Sequence, residues 1–137
     1  MKRVSSKILG LALGAALTAA AVPAQAGLKE EAAINQGLLN LAAADKIRRE
    51  CRSIGGRLFR AQSYASALKK AAAERGYSAA EVDAYINDDA NKAAMRERRN
   101  AYFKSKGASN LDPASLCVLG QAEMAKDSQI GQLLRAK

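Results

Sequence analysis

The segment "RRECRSIGGRL", residues 48–58, places a cysteine among arginines. Cationic neighbours lower the pKa of a thiol and make it a better nucleophile, so Cys51 is the first candidate for chemistry. Two interpretations are open: Cys51 is an activated thiolate, or it is half of a structural disulfide. Its position on the helix that carries it decides between them, because burial raises the pKa of a thiol and makes it unreactive.

Histidine is absent from the chain, and that absence excludes several chemistries. Ser-His-Asp and Cys-His catalysis, c-type haem attachment and the common zinc sites all require an imidazole. Asp88 and Asp89 are adjacent and would point to different sides of a helix, whereas a glycosidase needs two carboxylates that face each other across a cleft. We therefore predict no enzyme, no catalytic residue and no cofactor.

The segment "NDDANKAAMRER", residues 87–98, has the alternating oxygen ligands of a calcium loop in Asn87, Asp89 and Asn91. Lys92, however, stands where that loop requires glycine, and Arg98 stands where it requires a bidentate glutamate. The pattern favours an acidic turn that flanks a helix, and we predict no metal site.

Two groups of arginines form a candidate interaction surface: Arg48, Arg49, Arg52, Arg96, Arg98 and Arg99. If folding brings the groups together, they would make a composite anion-binding surface. The competing interpretation is separate solvated faces, whose local ion pairs contribute little and whose charge mainly serves solubility. The sequence favours the second interpretation, because the charges are spread over several helical faces.

Residues 1–26 have the layout of a secretory signal peptide. "MKRVSSK" is a basic start, Ile8–Val22 is an apolar run made mostly of alanine and glycine, and "AQA" places small residues before Gly27. The run is shorter than the 17 to 25 or so strongly apolar residues of a membrane anchor. We predict cleavage after Ala26, export to the periplasm, and a single helical domain at residues 27–137 with no transmembrane span.

The mature chain remains basic. Its formal net charge falls from +9 to +6, because Lys2, Arg3 and Lys7 lie in the leader. An exported basic chain meets anionic lipid head groups, cell-wall polymers or acidic protein surfaces, and not nucleic acid. A binding role is therefore open, with a surface that only keeps the protein soluble as the competing interpretation.

Helix formers dominate the mature chain, and no stretch alternates as a strand does. One helical face is traced by residues spaced three or four apart: Leu39, Ala43, Ile47, Cys51, Ile54, Leu58, Ala61, Ala65, Leu68 and Ala72. Gly55 and Gly56 together would cost about 2 kcal/mol inside a helix. We therefore predict a break there, with helices near residues 28–53 and 57–75.

Capping residues predict the later boundaries. Ser78 and Glu81 form a capping box that starts a helix near residue 79, and Asp112 starts another before Pro113. A run from about residue 90 to residue 105 follows the first of these; its apolar residues are Ala90, Ala94, Ala101, Tyr102 and Phe103. We expect a last short amphipathic turn or two at Ile130, Leu133 and Leu134.

The helical stripe answers the question about Cys51. Cys51 shares its face with Ile47 and Ile54, which predicts that the thiol faces the core while the arginines do not. Cys117 is the only other cysteine, and two cysteines in an exported chain most economically form one disulfide. We therefore predict an all-α bundle of about four to six helices with one inter-helix disulfide, Cys51–Cys117.

Four segments together resemble a family of small exported alphaproteobacterial proteins that is classed as a domain of unknown function. They are Cys51 with "SIGGR", the segment "GYSAAEVDAYI", Cys117 with Gly120 and "AE", and the segment "SQIGQLLR". The resemblance covers nearly all of the mature chain and implies no activity, cofactor or catalytic residue. Relatives in that family lie near genes for respiratory NADH dehydrogenase subunits, which implies an accessory role near a respiratory complex as one alternative.

These observations favour a non-enzymatic periplasmic accessory or interaction protein, a monomer or weak oligomer with an unknown protein partner. The first alternative is a binder of anionic envelope components, lipid head groups or cell-wall polymers, through the arginines. The second alternative, which rests on the resemblance, is a periplasmic-side accessory factor of a respiratory membrane complex.

Overall fold

The computed structural model describes residues 27–137. The predicted leader, residues 1–26, lies outside the described residues. A 3-10 turn at Leu28–Glu30 is followed by helices and two short strands. In chain order they are α1 (Ala32–Glu50), β1 (Ile54–Gly56), α2 (Leu58–Glu74), α3 (Ala79–Asn87), α4 (Asp89–Ser105), α5 (Pro113–Ala125), α6 (Gln129–Gln132) and β2 (Leu134–Ala136).

Helix α1 is the central element, and α2, α4, α5, α6 and β1 all pack against it. It ends at Glu50, and the backbone of Cys51 is already extended. The predicted break at Gly55 and Gly56 is confirmed, since these glycines lie between α1 and α2. The predicted fold class is also confirmed: residues 27–137 form an all-α bundle of six helices with a disulfide between Cys51 and α5.

The segment that contains the two glycines is a strand, although no strand was predicted from the sequence. β1 pairs antiparallel with β2, so that Ile54 lies opposite Ala136 and Gly56 lies opposite Leu134. The expected amphipathic ending over residues 130–134 is therefore correct only for α6, and the assignment of Leu134 to a helical turn is wrong. Leu134 extends because its backbone pairs with a segment that is distant in the sequence.

Two apolar clusters hold the elements together. The larger joins α1, β1, α4, α5, α6 and β2; its buried members are Ala43, Ala44, Ile47, Cys51, Ile54, Phe103, Leu116, Leu119, Ile130, Leu133 and Leu134. The smaller joins the 3-10 turn to α1, α2 and α3; it consists of Leu28, Ile34, Ala72 and Tyr77, with Leu38, Ala71, Val82 and Tyr85 packed beside them. The smaller cluster has few fully buried side chains, and it borders the site described below.

The predicted helical stripe ends with α1, because Cys51 and Ile54 are buried as predicted but lie in an extended segment and in β1, not on a helix. Leu58 is 64% exposed and its neighbour Phe59 is 87% exposed, because the strand turns the chain and α1 and α2 do not share one face.

Helix α4 also departs from expectation. Its alanines at positions 90, 94 and 101 face solvent, and α4 enters the larger cluster through Phe103, which is fully buried.

The predicted caps are confirmed. The N–H of Glu81 donates to the Ser78 hydroxyl at 3.1 Å, and the N–H of Ser78 donates to the Glu81 carboxylate at 2.6 Å. These hydrogen bonds with Ser78 hold the pKa of Glu81 below its ordinary value. Asp112 caps α5 before Pro113. Asp88 caps α4, so the acidic segment is a junction between two helices.

Glu123 on α5 is a buried carboxylate, only 3% exposed. Its Oε1 accepts a hydrogen bond from the Tyr102 hydroxyl at 2.7 Å and lies 3.1 Å from the Lys126 ammonium. Burial alone would raise the pKa of Glu123, but hydrogen bonds from Ser128, Tyr102 and Lys126 outweigh it and hold the pKa below its ordinary value. Burial and the same carboxylate raise the pKa of Tyr102.

This arrangement predicts an acid-sensitive contribution to stability. A carboxyl group whose pKa is lowered by folding stabilises the fold above its unfolded pKa of about 4.3, and that stability is lost as the pH falls through the folded pKa. We expect Tyr102→Phe to lower the free energy of unfolding by about 1.5 to 3 kcal/mol at neutral pH. The difference from wild type should shrink over the pH range below about 4.3, in which Glu123 of the folded protein takes up a proton, as urea unfolding at each pH would show.

Tyr85→Phe is the matched control for that measurement. The Tyr85 hydroxyl donates to the neutral amide oxygen of Asn35 at 2.6 Å, so the same atom is removed beside a group that does not titrate. Its cost should stay constant over this pH range. Equal pH dependence of the two variants would contradict the role assigned to Glu123.

Candidate anion-binding groove

The predicted disulfide is confirmed. Cys51 and Cys117 are bonded with an S–S distance of 2.03 Å and a Cα–Cα distance of 5.1 Å. Cys51 is fully buried, and neither cysteine among the described residues is free. The activated-thiolate interpretation is therefore excluded for the oxidised protein. A methyl group at Gly120 would lie 2.6 Å from Ile54 Cδ1 and 2.7 Å from Ile47 Cγ2, so glycine lets α5 pack closely against these two side chains.

A groove between α1, the end of α3 and α4 brings cationic side chains together around an apolar floor. It has a volume of about 320 Å³. Its cations are Arg49, Lys92, Arg96 and Arg99, and its apolar lining includes Leu38, Ile86 and Met95. We call this surface the basic groove.

Helical spacing places the cations of α4 on one face. Lys92, Arg96 and Arg99 are separated by four and then three residues, so their side chains lie along one side of the helix. Arg49 comes from the last turn of α1, which packs against α4. The groove therefore depends on the contact between two helices that are far apart in the sequence.

The cations of the groove are incompletely neutralised by the chain itself. Asp45 divides its one charge between Arg48, at 2.6 Å, and Arg49, at 2.9 Å. Lys92 lies 3.9 Å from the fully exposed Asp89, which is a weak, screened pairing. Within residues 27–137, neither Arg96 nor Arg99 has a carboxylate within 4.0 Å.

Arg99 is the least exposed of these side chains. Its Nε and Nη2 donate to Asn100 Oδ1 at 3.2 and 3.0 Å, and its Cζ lies 5.9 Å from the centre of the Phe103 ring. Burial lowers the pKa of Arg99, and the positive charges of Arg49 and Arg96 lower it further. The guanidinium is thus partly withdrawn from water in a positive field, and an anion would relieve that repulsion.

The structure divides the six predicted arginines. Arg49, Arg96 and Arg99 line the basic groove, whereas Arg48, Arg52 and Arg98 do not. Arg52 and Arg98 are exposed, and Arg48 is paired with Asp45. Lys92 also lines the groove but was not among the predicted residues; its spacing from Arg96 and Arg99 is the signal that would have revealed it.

From Gly27 to Lys137, the cysteine, aspartate and glutamate side chains form no group of three that could hold a metal ion. In that same part of the chain, no helix has both the length and the apolar character needed to cross a membrane.

The chain matches a protein-family model over most of its length. Residues 26–135 match the model of a family described as "Family of unknown function (DUF5333)". No curated protein and no solved structure matches the chain. The matched region contains both cysteines and all four cations of the basic groove.

Proposed function

We propose a function from the geometry of the basic groove, because the chain belongs to a family of unknown function whose description assigns no activity. In this proposal the mature chain is a non-enzymatic, exported accessory protein that binds an anionic component of the cell envelope. The observation that supports it is the convergence of Arg49, Arg96 and Arg99 from two helices on one groove.

Guanidinium groups suit this role. Each presents a planar fork of donors that binds a phosphate or carboxylate through two hydrogen bonds. A hydrogen bond to Asn100 and the contact with the ring of Phe103 already restrict the side chain of Arg99, so it loses little conformational freedom when it binds an anion. Arg96 and Arg99 have no acidic partner within residues 27–137, so an incoming anion need not displace an ion pair of theirs.

Export is supported by two independent features. Residues 1–26 have the order of a signal peptide, with a basic start, an apolar run and a small-residue site. The Cys51–Cys117 disulfide is stable in an oxidising compartment such as the periplasm. The non-enzymatic assignment is supported by the lack of histidine and by the use of both cysteines in the cross-link.

The proposal predicts groove-dependent binding to anionic membranes. The mature protein should sediment with phosphatidylcholine vesicles that contain phosphatidylglycerol and not with phosphatidylcholine alone. Arg96→Gln/Arg99→Gln should weaken that binding about 30-fold, since each arginine near an anionic surface contributes about 1 kcal/mol. Thermal unfolding of the variant by circular dichroism would verify that it folds.

The matched control is Arg52→Gln/Arg98→Gln, which removes the same charge from outside the groove. General attraction of a basic protein to a negative surface would weaken equally in both double variants. An equal loss would therefore reject the groove as the binding site. If vesicles do not bind and a protein partner is captured from membranes with either variant, an accessory protein that acts through another surface replaces the proposal.

A further inference from the structure

An apolar cavity lies next to the basic groove, inside the smaller cluster. It has a volume of about 190 Å³ and lies among α1, α2 and α3. Its walls are almost wholly hydrocarbon, from side chains such as Leu28, Ile34, Leu41, Leu68 and Val82. Lys69 is its one charged neighbour, and that ammonium lies 3.7 Å from Asp83.

The cavity and the basic groove share part of their walls. Leu38, Tyr85 and Ile86 line both spaces. The hydroxyl of Tyr85 is already bonded to Asn35, so the polar tip of this wall is satisfied and its ring is available as an apolar surface. A hydrocarbon chain that extends from the cations past these three side chains would enter the apolar cavity.

We infer that the ligand of the basic groove is a single-chain anionic amphiphile, whose head lies on Arg96 and Arg99 and whose alkyl chain enters the cavity of the smaller cluster. This inference rests on the proposed function and specifies its ligand. The two spaces match the two halves of such a molecule: one is rich in cations, and the other is apolar and of limited size. An alkyl phosphate and a fatty acid share this chemistry.

The size of the cavity limits the length of the buried chain. An apolar protein cavity of about 150 Å³ stays dry and accepts a six-carbon ring. The cavity here is somewhat larger, at about 190 Å³, so it accommodates a segment of about six carbons. It has no room for both chains of a phospholipid, which favours ligands with one chain.

Calorimetric titration of the full mature protein with alkyl phosphates tests this inference. Inorganic phosphate serves as the head alone, and ethyl, butyl, hexyl and octyl phosphate lengthen the chain. The affinity should rise about fourfold for each methylene buried, and the rise should stop near six carbons, when the cavity is full. Octanoate in place of octyl phosphate shows whether the head is a carboxylate or a phosphate, and tighter binding of either supports the inference.

A cavity-filling variant tests where the chain lies. Ala65 lines the cavity, so Ala65→Phe should abolish the dependence on chain length while the binding of inorganic phosphate is unchanged. Ala67→Phe makes the same change at an exposed position of α2 and should preserve the dependence. The chain-length series on the wild type decides the matter even if Ala65→Phe fails to fold.

The binding measurements distinguish an error in the inferred ligand from an error in the proposed function. If octyl phosphate binds no better than inorganic phosphate, and both require Arg96 and Arg99, the anion-binding groove stands and the amphiphile is wrong. If neither probe depends on these arginines, the proposed function itself is wrong. A chain-length dependence that survives Ala65→Phe unchanged would place the alkyl chain elsewhere and overturn the inference.

Discussion

Reduction of the Cys51–Cys117 disulfide is expected to lower the thermal midpoint by on the order of 15 to 30 °C. The two cysteines are 66 residues apart, and cross-linking a loop of that size removes about 4 kcal/mol of chain entropy from the unfolded state. A domain of roughly this length loses about 4 to 8 °C for each kcal/mol. Calorimetry with and without reductant, and on Cys51→Ser and Cys117→Ser, would measure the change.

Additivity provides the control for this prediction. The double variant Cys51→Ser/Cys117→Ser should be no less stable than either single variant, because all three lose the same bond. Iodoacetamide should label no thiol in the native oxidised protein. Single-variant losses that add, or rapid native labelling of Cys51, would contradict a shared cross-link between the two cysteines.

Phe103→Ala is expected to lower the free energy of unfolding by about 3 to 5 kcal/mol. Phe103 is fully buried and belongs to the larger cluster, so truncation removes a large apolar side chain and leaves a cavity. It is the buried member of α4, and its loss weakens the contact of α4 with α1 that assembles the basic groove. Urea unfolding monitored by circular dichroism measures the change.

Phe59→Ala is the matched control, because it makes the same change at a side chain that is 87% exposed. Its effect on stability should stay within about 0.5 kcal/mol. Comparable losses at the two positions would mean that burial does not set the cost, and would contradict the core assignment of Phe103.

Local signals in the sequence predicted the helix boundaries well. Ser78 with Glu81, and Asp112 with Pro113, satisfy exposed N–H groups or fix backbone angles within a few residues, so their effect does not depend on the rest of the fold. The glycine pair likewise predicted the break, because its conformational cost is local. The disulfide followed from the cysteine count, since two cysteines permit only one intramolecular pair.

The apolar face of each helix was predicted less reliably. Leu58 continues the stripe of α1 by spacing, yet it is exposed because β1 redirects the chain. Periodicity describes a face only while the helix is unbroken, so any turn resets which residues are buried. The alanines of α4 were misleading for a related reason: small side chains carry little hydrophobic energy, and a larger one, Phe103, determined which face packs.

The sequence by itself determined the helical class, the caps, the break and the cysteine pair, because each depends on neighbours in the chain or on a count. Only the tertiary structure decided the pairing of β1 with β2 and the meeting of Arg49 with Arg96 and Arg99. Both join segments far apart in the sequence, and their geometry depends on how α1, α4 and the C-terminus pack around one core. No local pattern contains that information, because contacts between distant segments are set by the packing of the whole bundle.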